Sequence, residues 1–163
     1  MVANFLVARP AADAFRERED FPDASPGVDA RGTLRTKEEY LMAHPFVHVE
    51  LHTNDLARAK EFYSRLFDWK LQDMPMPGGG SYTMIDVGGG TGGGMMVNQA
   101  PGTPPHWMAY VGVDDVHAAT RKAKDLGAKV VVDVMEVGEY GSMSVITDPT
   151  GATVAMWQAK PHK

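Results

Sequence analysis

Cysteine is absent from this sequence of 163 residues, so we expect no disulfide framework, no thiolate nucleophile and no zinc-thiolate site. Basic residues are also few, with 16 Lys and Arg against 21 Asp and Glu. A nucleic-acid partner needs a clustered basic surface, so none is expected. No apolar run approaches the roughly 20 residues that cross a membrane, and no membrane partner is expected either. These properties predict a cytoplasmic protein that binds a small molecule.

Residues 1–44 differ in composition from the remainder and predict an N-terminal extension made of loops and short helices. Positions 21–27 (FPDASPG) have the composition of a loop, and residues 11–20 are compatible with a short helix. Thr36 and Glu39 form a capping-box pattern that predicts a helix ending before Pro45. We expect these pieces to pack across the domain or against a partner chain.

Residues 45–158 contain the same order of predicted elements twice. A strand at 46–53 precedes a helix capped at Asn54 and Asp55, and three further strands follow in a glycine-rich stretch. After a Pro-rich linker at 100–105, a strand, a capped helix and three strands return. Asp55 and Asp115 are 60 residues apart, as are Leu66 and Leu126. The chain is therefore predicted to contain an internal duplication, with module one at 45–99, module two at 106–158 and a tail at 159–163.

The predicted fold class is α+β, with two tandem βαβββ modules. A single module would leave one face of its sheet bare, so the two modules are expected to close a half-barrel cleft around a pseudo-twofold axis. Exposed sheet edges also favour a two-fold partner, and we expect a homodimer. The inward side chains of the first and last strand of each module would line the cleft.

The first predicted strand has a polar face and an apolar face. Side chains alternate along a strand, so His48, Glu50 and His52 share one side, whereas Val47, Val49 and Leu51 share the other. His48 and His52 are roughly 13 Å apart on a strand and cannot share a metal ion. The alternative interpretation is a half-exposed strand whose polar face only meets water.

Several motifs resemble the vicinal oxygen chelate superfamily, which includes glyoxalases, extradiol dioxygenases, epimerases and bleomycin-resistance proteins. They are TNDL at 53–56, KEFY at 60–63, LFDW at 66–69 and DPTG at 148–151, set within the paired modules. The resemblance implies metal ligands on the first and last strands, at His48, Met95, Met108 and Ala155. Hard divalent ions prefer carboxylate and imidazole ligands, so this set implies an eroded metal site.

Three interpretations of His48 remain open. It could join Glu50 and His106 in a shifted site for a divalent metal ion, or bind Cu(I) together with the methionines. It could also bind or move protons without any metal. No cofactor is firmly implied.

Glu50 is the predicted general base, with His48 as its proton-transfer partner and Tyr110 opposite it at the repeat offset of 60. An enclosed cavity disfavours the charged form of a carboxylate, which suits acid-base work. The remaining predicted substrate-binding residues are His52, Met95, His106, Met108 and Ala155. The leading hypothesis is a proton-transfer enzyme of isomerase or lyase type. The alternatives are a non-enzymatic protein that binds a drug or metabolite, a metalloenzyme with shifted ligands, and a structural role in which Glu50 is paired and closes the barrel.

Overall fold

The computed structural model describes residues 44–76 and 79–160. The predictions for the extension before His44 lie outside the described residues. The first module consists of β1 (Phe46–Thr53), α1 (Leu56–Leu66), β2 (Lys70–Pro75), β3 (Ser81–Asp86) and β4 (Gly93–Val97). The second consists of β5 (His106–Gly112), α2 (Val116–Asp125), β6 (Lys129–Val137), β7 (Gly141–Thr147) and β8 (Thr153–Ala159). The predicted α+β fold is confirmed.

Both helices begin where the sequence predicts, at an aspartate that caps the free N–H groups of the first turn. The Asp55 carboxylate accepts from the Arg58 N–H at 3.0 Å, and the Asp115 carboxylate accepts from the Ala118 N–H at 2.9 Å. Gly127 follows α2 with a φ of +91°, a left-handed conformation that favours glycine. Local chemistry therefore fixes both helix starts.

The eight strands form one sheet in the order β2-β3-β4-β1-β5-β8-β7-β6. Within each module the first strand runs parallel to the last, as β1 with β4 and β5 with β8. The antiparallel pair β1 and β5 joins the modules at the centre of the sheet. The duplication thus places the two first strands side by side.

Both helices pack on the same face of the sheet, called the helix face here. Under α1 lie Leu51, Ile85 and Met95, and under α2 lie Ile146 and Met156. The two helices differ in depth, because α2 buries Val116 and Thr120, whereas no residue of α1 is buried. Helix α1 therefore covers its half of the sheet incompletely.

The opposite, helix-free face also buries a core. Its members are Met108, Tyr110, Val137, Met143, Val145, Ala155 and Trp157. No helix of the described chain covers these side chains, so they are buried against one another and the sheet itself.

One alternation expected from the sequence is wrong at Val47. The pairing register of β1 with β5 shifts between Phe46 and His48. This irregularity places Val47 against the helix-free cluster instead of beside Leu51. A bulge changes which face a strand residue occupies.

Within the described residues, no helix is both long and apolar enough to cross a membrane.

Candidate functional site

A row of polar side chains follows the central strands on the helix-free face. His48, Glu50 and His52 project from β1, as predicted, and are opposite Tyr110, Met108 and His106 of β5 in the antiparallel register. Glu50 is fully buried and His48 nearly so. A buried row of ionisable groups is costly to assemble and is typical of functional sites.

Glu50 is held by hydrogen bonds at both carboxylate oxygens. The Tyr110 hydroxyl donates to Oε1 at 2.9 Å, and the Tyr82 hydroxyl donates to Oε2 at 2.8 Å. Burial, the Glu50 charge and these hydrogen bonds raise the pKa of both tyrosines well above the ordinary value. Both phenols therefore stay protonated at neutral pH, and the predicted position of Tyr110 opposite Glu50 matches the structure.

His48 extends this network by one step. Its Nε2 lies 2.8 Å from the Tyr82 hydroxyl oxygen. The single proton of Tyr82 is donated to Glu50, so the hydroxyl oxygen must accept from an N–H at His48 Nε2. Burial lowers the pKa of His48, although the Glu50 charge partly opposes this shift. His48 is therefore a neutral imidazole in a chain that runs His48, Tyr82, Glu50, Tyr110.

His52 approaches Glu50 from the next position on the same strand face. Its Nε2 lies 2.7 Å from Glu50 Oε1, but the ring is not aligned for a hydrogen bond. Its ring stacks on His106 with centroids 4.9 Å apart, and His106 Nδ1–H donates to the Pro104 carbonyl at 3.0 Å. His52 is partly exposed, so it connects the buried carboxylate with the surface of the site.

Met95 is not where the sequence prediction puts it. It pairs with Leu51 in the parallel register and packs in the helix-face cluster. The residue beside Glu50 is Gly94, and the residue beside Tyr110 is Ala155. The repeat offset is thus 60 at the first strands but 61 at the last strands (155 minus 94). Met95 cannot reach the helix-free face, whereas Met108 and Ala155 lie on it.

Tyr82 and Gly94 are site residues that the sequence prediction missed. Tyr82 is on β3, two strands from β1, and its ring passes over β4 at Gly94. A Cβ at Gly94 would overlap the Tyr82 hydroxyl oxygen and Cζ, and would lie 2.7 Å from Cε1. Only glycine leaves room for this phenol to reach Glu50. The sequence does contain the two features that make this contact possible, a tyrosine on β3 and a glycine on the intervening strand β4.

Comparison with known families identifies the fold's relatives. Residues 46–156 match the family model described as Glyoxalase/Bleomycin resistance protein/Dioxygenase superfamily. The chain belongs to this family. The predicted resemblance is confirmed.

Among curated members of the Glyoxalase/Bleomycin resistance protein/Dioxygenase superfamily, CFP32 of Mycobacterium tuberculosis, provisionally named a glyoxylase, is 44% identical over 118 residues. The match covers 70% of this chain and 45% of that protein. The anthracycline biosynthesis protein DnrV of Streptomyces peucetius is 30% identical over 123 residues, covering 67% of this chain and 45% of DnrV. The chain therefore spans about half the length of these curated relatives.

Solved structures share the fold of this superfamily member at low identity. Methylmalonyl-CoA epimerase from Mycobacterium tuberculosis superposes with a TM-score of 0.58 at 19% identity, covering 82% of this chain and 97% of the epimerase. A hypothetical protein from Bacillus halodurans gives a TM-score of 0.59 at 12% identity, covering 74% of this chain and 98% of that protein. At these identities the likeness establishes the fold alone.

The metal positions implied by the superfamily resemblance do not fit a hard divalent ion in this chain. With the register corrected, they are His48, Gly94, Met108 and Ala155. Only His48 carries a suitable donor atom, and its Nε2 is engaged with Tyr82. Across 44–76 and 79–160, no three His, Asp or Glu side chains converge on one point. The shifted set of His48, Glu50 and His106 is therefore not assembled, and no chemical step is assigned to a metal here.

The stability of this superfamily member should fall as the pH drops below 6.5, partly because of His48. Its folded pKa lies below the ordinary value of 6.5, so the unfolded chain takes up the proton first. The neutral ring stabilises the fold above 6.5, and that contribution is lost on acidification. His48→Gln should reduce the slope of the unfolding free energy against pH. The reduction is at most the contribution of one proton, about 1.4 kcal/mol per pH unit. Urea unfolding at about pH 7.5 and 5.5 measures this slope.

The melting temperature of His48→Gln at about pH 7.5 is recorded alongside, so that a general loss of stability is separated from a change in pH dependence. An unchanged slope in His48→Gln would contradict the assignment of a lowered pKa to His48.

Removing the Tyr110 hydroxyl should destabilise the protein because a buried carboxylate loses a donor. We expect Tyr110→Phe to cost about 2 kcal/mol, the typical value for a hydrogen bond to a charged group. The melting temperature should fall by about 5 °C for a domain of this size. Tyr140→Phe is the control, because Tyr140 packs against the same cluster but its hydroxyl has no partner among the described residues. Equal melting temperatures for the two variants would refute the Tyr110–Glu50 bond.

Proposed function

We propose that this chain binds a small organic molecule at the helix-free face and transfers a proton on it, in an isomerase- or lyase-type reaction. The observation that carries the proposal is the state of Glu50. This carboxylate is fully buried, yet it is contacted by Tyr82, Tyr110 and His52, each of which can hold or pass a proton. A carboxylate placed among such groups is suited to accept a proton from carbon and return it.

The tyrosine hydrogen bonds support a specific division of labour. Glu50 would take a proton from a carbon next to a carbonyl, so that the C–H bond breaks, an O–H bond forms and the electron pair becomes an enolate. Negative charge thereby moves from Glu50 to the substrate oxygen. The Tyr110 hydroxyl, which donates to the ionised carboxylate, would then turn and donate to the new oxyanion. His52, whose Nε2 lies 2.7 Å from Oε1, would pass the proton on after its ring rotates into alignment with the carboxylate.

A buried donor without an acceptor supports ligand binding at the same face. Trp157 is almost fully buried in the helix-free cluster, and its indole N–H has no hydrogen-bond partner within the described residues. Buried donors in native proteins are nearly always paired. A ligand acceptor atom, such as a carbonyl oxygen, would satisfy this group.

The second candidate function is binding without catalysis, and the same network provides its specific support. Three groups already approach Glu50, and none of its surface is exposed. A carboxylate fixed in this way would also suit a polar pocket that binds a ligand without catalysis. Two curated relatives carry names from anthracycline biosynthesis, so an anthracycline is the natural probe for this alternative.

Deuterium exchange separates the two functions. The full chain is incubated in D₂O with methylmalonyl-CoA and with other carbonyl compounds that carry an adjacent C–H bond. Mass spectrometry then follows deuterium incorporation into the substrate. Protein-dependent exchange into at least one compound is expected. Saturable quenching of daunorubicin fluorescence, with no exchange into any compound of the panel, would instead establish the binding function and refute proton transfer.

A further inference from the structure

The helix face carries an apolar surface that the proposed function does not use. Its centre is a pocket of about 240 Å³ lined chiefly by Val49, Trp69, Ile85, Val87 and Trp107. All of these side chains are apolar. Gly92 and Gly93 complete the lining and add no side chain to it. A side chain at Gly93 is excluded, because its Cβ would overlap the Val49 carbonyl oxygen.

Aromatic rings extend this pocket onto helix α1. The aromatic patch consists of Phe62, Tyr63, Phe67, Trp69 and Trp107, whose neighbouring ring centroids are 4.7 to 6.4 Å apart. Phe62 is 55% exposed, Phe67 43% and Trp107 40%, and the adjacent Leu66 is 54% exposed. Monomeric proteins rarely leave a contiguous apolar surface of this kind uncovered. The patch is wider than the pocket, so a small molecule in the pocket would leave most of it exposed.

The chain itself enters the fold beside this patch. The Thr91 hydroxyl donates to the Phe46 carbonyl at 3.0 Å, and Thr91 and Val49 both line the pocket. Val49 is four residues after Pro45, a distance of about 13 Å along a strand. Leu41 is four residues before Pro45, so a chain reversal at His44 and Pro45 would bring Leu41 level with Val49. Both edges of β1 are paired, and the returning chain must therefore cross a face of the sheet.

The sequence before Pro45 matches the patch in polarity and charge. Tyr40, Leu41 and Met42 form an apolar run, preceded by Glu38 and Glu39. Helix α1 contributes Arg58, Lys60 and Arg65. Lys60 pairs with Asp73 and Arg65 with Glu61, so within the described residues only Arg58 of this helix has no ion pair. We propose that residues 36–43 of this chain cover the aromatic patch, with Leu41 inserted towards the pocket between Trp69 and Trp107.

Tryptophan quenching tests the contact in the full chain. Two of the three tryptophans line the pocket, whereas Trp157 is only 4% exposed. Leu41→Asp should raise acrylamide quenching by about twofold, because uncovering a packed surface admits the quencher. Leu6→Asp makes the same change 35 residues earlier and should leave quenching at the wild-type level. Quenching unchanged by Leu41→Asp, or raised equally by Leu6→Asp, would overturn the proposal.

Cross-linking provides a second test that needs no disruptive substitution. The natural chain has no cysteine, so Leu41→Cys with Leu66→Cys creates one defined thiol pair. A short bismaleimide should give a monomer with both thiols consumed, whereas Leu6→Cys with Leu66→Cys should remain unlinked. Covalent dimers in place of the linked monomer would show that a second copy covers the patch. Equal binding of 8-anilinonaphthalene-1-sulfonate by wild type and Leu41→Asp would show that the patch is already open to small molecules in wild type. Covalent dimers or equal dye binding would each refute the proposal.

Discussion

Replacing Glu50 with glutamine should abolish most of the proposed proton transfer, with a loss of at least about 100-fold in the rate of deuterium exchange. The amide keeps the size of the side chain but cannot accept a proton from carbon near neutral pH. It also supplies donors where Tyr82 and Tyr110 now donate, so at least one phenol must reorient to accept. Deuterium incorporation into the compound that wild type exchanges is the measurement.

The Glu50 result needs a control for the loss of one negative charge. Glu139 is exposed on the β6–β7 turn, and Glu139→Gln should exchange deuterium at the wild-type rate. The melting temperature of Glu50→Gln must be recorded in parallel, since an unfolded variant is inactive for a different reason. A folded Glu50→Gln variant with wild-type exchange would rule out Glu50 as the base.

Adding a single methyl group at Gly94 should strongly destabilise this sheet. The new Cβ would overlap the Tyr82 hydroxyl and ring, and Tyr82 is fully buried with bonds to both Glu50 and His48. The ring cannot move without breaking those bonds. Overpacking alone costs 1 to 3 kcal/mol, and with the lost hydrogen bonds we expect about 4 kcal/mol for Gly94→Ala. Chemical denaturation would measure this difference.

A double-mutant cycle attributes the Gly94 effect to Tyr82. The variant Tyr82→Leu removes the overlapping atoms, so adding Gly94→Ala to it should cost about 1 kcal/mol or less. If Gly94→Ala costs the same in both backgrounds, the steric conflict with Tyr82 is not the cause. Backbone strain in β4 would then be the source of the destabilisation.

Local patterns predicted what local chemistry controls. Helix starts such as those at Asp55 and Asp115 are predictable because a capping carboxylate binds an N–H only three residues away. The polar face of β1 followed from simple alternation, and Tyr110 was placed opposite Glu50 because both are on first strands, where the duplication is in register.

Prediction from the sequence was wrong or incomplete where loop lengths and pairing with distant strands decide which face a side chain occupies. An extra residue in the second module changes the offset from 60 to 61 before the last strand, which put Met95 on the wrong face. Tyr82 was missed because its bond to Glu50 requires strand order and the absence of a side chain at Gly94. Neither fact is encoded within a few residues of Tyr82. The bulge at Val47 is likewise a consequence of pairing with β5.

The β1–β5 pair places the site across the junction of the two modules. Among the described strands, the sheet passes from one module to the other only through this pair. Glu50 belongs to the first module and Tyr110 to the second, so their 2.9 Å hydrogen bond spans the junction. The bond can form only while β1 and β5 keep this register, so the geometry of the site depends on both halves of the chain. Neither module alone could hold Glu50 at both of its carboxylate oxygens.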